Sequence, residues 1–134
     1  IEGDARPEQD VHLTATIECL SKAMASRPTL VVAAADLAHV GPAFGDVLPI
    51  DAPERARLAA ADESLIATIC SGKAEEFFNA IKQERDRRRI CGLPPIYLAL
   101  RLLGAAKGQP AGYEQCAADE RGSSVVTICG VVFS

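Results

Sequence analysis

The sequence lacks tryptophan and has few aromatic residues, which make up only 4% of its 134 residues. Its core must therefore be built from alanine, leucine, isoleucine and valine, and it has no row of aromatic and basic side chains on which single-stranded bases could stack. The net charge of −4 also argues against non-specific binding to nucleic acid. No apolar run approaches the ~20 residues that a membrane-spanning helix needs. We therefore expect neither nucleic acid nor a membrane among its partners.

The sequence also lacks paired cysteines. It has 5 cysteines, an odd number, and none of them has C-x-x-C spacing. This argues against a structural zinc site and against a disulfide framework. We expect the cysteines other than Cys91 to be small core residues. Because no secretory signal is present, the cysteine pattern predicts a cytoplasmic protein.

The apolar residues predict an α/β fold, with a mainly parallel or mixed sheet flanked by helices and a C-terminal β-hairpin. A helix over about 8–25 is followed by the continuously apolar run 29–34, which is typical of a strand buried on both faces. Asp51 is expected to cap a helix that ends near Cys70. Further helices are predicted over about 73–86 and from Pro94 onward, and the hairpin strands over about 113–118 and 123–133.

The first residues bear on domain organisation. The chain begins with Ile1 rather than methionine, and residues 2–7 have the composition of a loop entered from an earlier segment. We expect 1–134 to be either a single domain or the C-terminal half of a larger domain.

Two polar side chains, Asp36 and His39, follow the predicted buried strand. The ends of strands are where α/β proteins place ligands and catalytic groups. Asp36 could fix the tautomer of the His39 imidazole, or both groups could face one ligand. The alternative is that Asp36 caps the turn and His39 simply packs beside it.

Cys91 lies immediately before a predicted helix start and after three arginines at 87–89. The amide dipoles of a helix N-terminus and nearby cations favour a thiolate. The alternative is a buried structural cysteine, which is the commoner role of the residue.

Three segments resemble motifs of MEMO-like proteins, a family called AmmeMemoRadiSam system protein B in bacteria and archaea. The segment 31–41, Val-Val-Ala-Ala-Ala-Asp-Leu-Ala-His-Val-Gly, resembles the family's VSSD-hydrophobic-x-H-aromatic-G segment. The segment 89–96, Arg-Ile-Cys-Gly-Leu-Pro-Pro-Ile, resembles its x-I-C-G-x-x-P-I segment. The segment 124–132 resembles its closing strand. The three fall in the right order, and the resemblance covers nearly the whole chain.

The resemblance implies an α/β fold similar to that of class III extradiol dioxygenases. It also implies that Cys91 is a metal ligand and that His39 and Asp36 act at the same pocket, with iron or copper as the metal. A soft thiolate together with imidazole suits Cu(I) or Fe(II). We therefore expect a non-haem metal oxidoreductase with a small-molecule substrate that the sequence does not identify.

The chain departs from the family pattern in one important way. It contains neither of the segments that carry the family's paired metal-binding histidines, so it resembles a C-terminal half whose metal site is incomplete by itself. The N-terminal half of the same protein is then the expected partner, and a homo-oligomer is possible. Two other functions stay open: a metal-free thiol hydrolase with Cys91 as nucleophile, His39 as base and Asp36 as orienting group, and a non-enzymatic interaction module.

Overall fold

The structure is a computed structural model that describes residues 6–134, so most of the loop expected at 2–7 lies outside the described residues. The elements in chain order are α1 (Val11–Ala25), β1 (His39–Val40), α2 (Ala52–Cys70), α3 (Ala74–Gln83), α4 (Leu93–Leu103), β2 (Gly108–Ala117) and β3 (Val125–Phe133). Short 3₁₀ turns cover Pro7–Gln9 and Pro42–Phe44. None of the helices in this part of the chain is long and apolar enough to cross a membrane.

The helices form where the apolar spacing predicts them. The Asp51 carboxylate accepts a hydrogen bond of 2.8 Å from the Glu54 N–H, which confirms the predicted cap of α2. The apolar face of α2 packs on α3 and the sheet, and it buries Leu58, Leu65, Ile66 and Ile69. Helix α4 consists almost entirely of apolar residues, yet only Tyr97 and Leu100 of this helix are buried.

The α/β fold class and the C-terminal hairpin are confirmed, and the sheet is antiparallel. Its strand order is β1-β3-β2, and β3 pairs antiparallel with both neighbours. The mainly parallel or mixed arrangement is therefore not what residues 6–134 form. The first hairpin strand also begins at Gly108, earlier than predicted, because long pairing with β3 outweighs the poor strand propensity of its glycines and proline.

The apolar run 29–34 is not a buried strand. It has no strand assignment, and Leu30 and Val32 are 86% and 72% exposed. Backbone pairing with β3 begins only at Leu37, whose N–H donates a 2.8 Å hydrogen bond to the Thr127 carbonyl. The run has the composition of a buried strand, but a strand forms only where a neighbouring strand supplies hydrogen bonds, and no strand within residues 6–134 does so here.

Candidate metal centre

The structure brings together all three side chains that the sequence singles out. One ligand atom from each of Asp36, His39 and Cys91 lies within 4.8 Å of the others. Asp36 lies on the segment that leads into β1, His39 is the first residue of β1, and Cys91 lies in the turn before α4. Residues that are 50 or more positions apart in sequence therefore meet at one place on the surface.

Gly92 explains how Cys91 approaches so closely. Its N–H donates a hydrogen bond of 3.0 Å to the backbone carbonyl of Asp36. A Cβ at this position would lie 2.5 Å from that same carbonyl oxygen, closer than real Cβ atoms approach. The absence of a side chain at 92 thus lets the turn lie against the β1 segment, and Cys91 Sγ comes within 3.6 Å of the Asp36 carbonyl.

The ring of His39 is held in a defined orientation. Its Nδ1 lies 3.1 Å from the backbone carbonyl of Arg89, and Phe44 packs edge-on against the ring with centroids 5.0 Å apart. Because a carbonyl can only accept, Nδ1 must carry the proton in this contact, which leaves the lone pair on Nε2. Nε2 lies 3.8 Å from the carboxylate of Asp36.

The site opens to solvent. The side chain of Asp36 is 48% exposed and that of His39 is 19% exposed, and Cys91 is exposed. The neighbouring arginines are paired elsewhere: Arg88 with Asp62 and Arg89 with Asp46. The Arg89 guanidinium lowers the pKa of the Asp46 carboxyl below its usual value, assisted by the N–H of Gly41.

The three groups fit a metal ion. Thiolate sulfur, imidazole nitrogen and carboxylate oxygen all offer lone pairs, and ligands of one four-coordinate ion lie about 3.5 Å apart. The observed limit of 4.8 Å is within reach of small side-chain rotations. Three protein ligands with an open solvent side are typical of a catalytic rather than a structural metal site.

The other cysteines differ in part from the prediction. Cys19 is exposed rather than in the core, because its face of α1 has no covering element in residues 6–134. Cys70, Cys116 and Cys129 are partly buried, in closer agreement with the prediction. Burial raises the pKa of the Cys70 and Cys129 thiols, which keeps these two in the neutral form.

A cavity lies apart from the three convergent side chains. It has a volume of about 1080 Å³, lies between α2 and β2, and its lining includes four alanines of α2, Ile66 and Tyr113. The Tyr113 hydroxyl already donates a hydrogen bond of 2.9 Å to Asp62. None of the three convergent side chains lines this cavity, so its walls add nothing to their chemistry.

Sequence reasoning missed the residues that hold the site together, namely Arg89, Gly92 and Asp46. Arg89 contributes its backbone carbonyl, which no residue-type pattern identifies. The sequence also gives no sign that Arg89 has a positive φ, 53°, because arginine rarely adopts a left-handed conformation. The glycine after Cys91 was the one available signal of a close backbone approach.

The comparisons with known proteins agree with the motifs. A family model described as "Memo-like protein" matches residues 7–132, which is nearly the whole chain. No curated protein matches the sequence. The match spans all three quoted motifs and all three convergent residues, and on this basis the chain belongs to the Memo-like protein family.

Proposed function

We propose that this chain is a dioxygenase-related metal-binding protein that holds iron or copper at Asp36, His39 and Cys91. The observation that carries the proposal is the convergence of three lone-pair donors within 4.8 Å on an open surface. Such a cluster repels itself when the carboxylate and thiolate are both ionised, and a bound cation removes that repulsion.

Each residue has a role in this proposal. Cys91 supplies the thiolate ligand, which selects for soft or borderline metals. His39 presents Nε2 because the Arg89 carbonyl holds its other nitrogen. Asp36, which is more exposed than His39, supplies a carboxylate oxygen as the third ligand. When bound, the metal would supply Lewis-acid or redox chemistry at that position.

The thiol-hydrolase alternative uses the same three residues but needs a different arrangement. In a Cys-His-Asp relay the imidazole takes a proton from the thiol through one nitrogen and donates to the carboxylate through the other. Here Nε2 of His39 faces the carboxylate, and Nδ1 contacts the Arg89 carbonyl. Both ring nitrogens are therefore engaged, and neither is left to accept the thiol proton while the other donates to Asp36. This favours the metal proposal.

We also propose that the N-terminal half of the same protein covers the run 29–34. The support is the exposure of Leu30 and Val32, two large apolar side chains on one segment without helix or strand. In this proposal the covering segment adds metal ligands to the three that Asp36, His39 and Cys91 supply. The interaction-module alternative would use the same surface without any metal.

Metal analysis tests the proposed function. The chain is loaded anaerobically with Fe(II) or Cu(I), freed of excess metal and analysed by mass spectrometry, alongside the variants Cys91→Ala and Cys19→Ala. Cys19 is the matched control because it is exposed and lies on α1, outside the site. We expect about one metal ion per chain in the wild type and in Cys19→Ala, and a clear loss in Cys91→Ala. Unchanged stoichiometry in Cys91→Ala would contradict the proposal.

A further inference from the structure

An ion pair between Asp46 and Arg89 lies next to His39, one of the three convergent residues. The Asp46 carboxylate accepts hydrogen bonds of 2.6 Å and 3.2 Å from the two terminal nitrogens of Arg89. Its Oδ2 also accepts a hydrogen bond of 2.7 Å from the N–H of Gly41. Asp46 thus joins the loop after β1 to the turn that precedes Cys91.

Arg89 contacts His39 from two directions. Its Nη1 donates a hydrogen bond of 3.1 Å to the backbone carbonyl of His39, and its own carbonyl lies 3.1 Å from Nδ1 of the ring. The backbone of Arg89 is left-handed at this point, with a φ of 53°. A non-glycine residue in that conformation is strained, and the conformation persists only where surrounding contacts hold it.

We propose that Asp46 is a positioning residue for the metal site, acting through Arg89 on the tautomer of His39. The bidentate pair holds the strained Arg89 backbone, and this backbone directs its carbonyl to Nδ1. Nδ1 then keeps the proton, so the lone pair stays on Nε2, which faces the carboxylate of Asp36. This inference rests on the proposed metal function for its consequence, but the tautomer can be measured without metal.

The tautomer is measured first, by ¹⁵N NMR of the metal-free chain at a pH where His39 is neutral. The chain has only 2 histidines, and the exposed His12 of α1 serves as an internal reference. We expect His39 to show a single Nδ1–H tautomer in the wild type and a mixture in Asp46→Asn, which loses the charge and presents a donor to Arg89. Glu76→Gln is the matched control, because it removes an exposed ion pair with Lys73 at the start of α3.

Metal affinity is measured second, from Co²⁺ titrations that follow thiolate-to-metal charge-transfer absorption. Loss of a residue that orients a ligand lowers metal affinity by about 10–100-fold, and we expect this in Asp46→Asn but not in Glu76→Gln. If Asp46→Asn fails to fold, Arg89→Lys makes the same test, since lysine keeps the charge without the two-pronged contact.

The outcomes separate the two proposals. An Asp46→Asn or Arg89→Lys chain with a wild-type tautomer and wild-type Co²⁺ affinity overturns the positioning role and leaves the metal site standing. A wild-type chain that binds no Co²⁺ refutes the metal function. In that case the NMR of metal-free protein still decides whether Asp46 sets the tautomer of His39.

Discussion

The N–H of Gly92 donates a hydrogen bond of 3.0 Å to the backbone carbonyl of Asp36. This contact ties the turn that carries Cys91 to the segment that carries Asp36 and His39. A second link lies alongside it, because the N–H of His39 donates a hydrogen bond of 2.7 Å to the carbonyl of Arg88. Backbone bonds therefore fix the spacing of the three side chains before any metal binds.

Replacing Gly92 by alanine tests this backbone contact. The added Cβ would lie 2.5 Å from the Asp36 carbonyl oxygen and 2.8 Å from Ile96 Cδ1, so the two segments must move apart. We expect Gly92→Ala to lower the free energy of unfolding by about 1–3 kcal/mol and to weaken metal binding. Urea unfolding and the Co²⁺ titration measure these two effects.

Gly112→Ala is the control for that variant. Gly112 lies in β2, has nothing within 4 Å of an added Cβ and does not have a positive φ. Its substitution should change the free energy of unfolding by less than about 0.5 kcal/mol. Equal effects of the two substitutions would contradict the close-approach argument.

The buried carboxylate of Asp62 anchors the other side of the Cys91 turn. Asp62 is 0% exposed, pairs with Arg88 and accepts a hydrogen bond from Tyr113. Asp62→Asn leaves the Arg88 charge with only Glu84, which lies 3.0 Å away, as its partner. Because removing one partner of a buried pair costs about 3–5 kcal/mol, we expect a loss near the lower value, about 3 kcal/mol, in urea unfolding.

Glu76→Gln provides the comparison for Asp62→Asn, since both substitutions remove one carboxylate charge from an ion pair. Both side chains of the Lys73–Glu76 pair are more than half exposed. Exposed pairs contribute about 0–1 kcal/mol, so this variant should unfold almost like the wild type. A small effect of Asp62→Asn would show that the buried pair does not hold the turn.

The hairpin turn should lose stability in acid. The pKa of the Asp119 carboxyl is lowered from 3.8 to about 2, chiefly by the Ser124 hydroxyl and then by the Ser123 N–H. A lowered pKa means that the stabilising effect is present above 3.8 and is lost as the pH falls toward about 2. We expect the Tm difference between the wild type and Asp119→Asn to shrink over this range. A difference that is independent of pH would show that the charge of Asp119 does not matter.

Much of the candidate site could be predicted from the sequence. Asp36, His39 and Cys91 stand out through their motifs and, for Cys91, through its place before a helix. The strand that was expected to lead into Asp36 and His39 does not form over 29–34. The capping pattern at Asp51 also predicted α2 correctly, since a cap depends on neighbours in sequence.

The rest depends on contacts that sequence patterns do not show. The run 29–34 has the composition of a buried strand, but whether it is buried depends on which strands are available to pair with it. Asp62 reads as a polar residue on an exposed helix face, yet the approach of Arg88 and Tyr113 allows it to be buried. The AmmeMemoRadiSam name, the metal and the partner half remain predictions, since the family match reaches only the Memo-like family.

X-ray absorption at the metal edge of the loaded chain tests the central claim most directly. The account predicts a sulfur ligand at about 2.3 Å together with lighter ligands at about 2.0–2.2 Å in the wild type. In Cys91→Ala the sulfur signal should disappear, whereas Cys19→Ala should keep it. A spectrum without sulfur in the wild type, or one with the same sulfur signal in Cys91→Ala, would contradict a metal site built on Cys91.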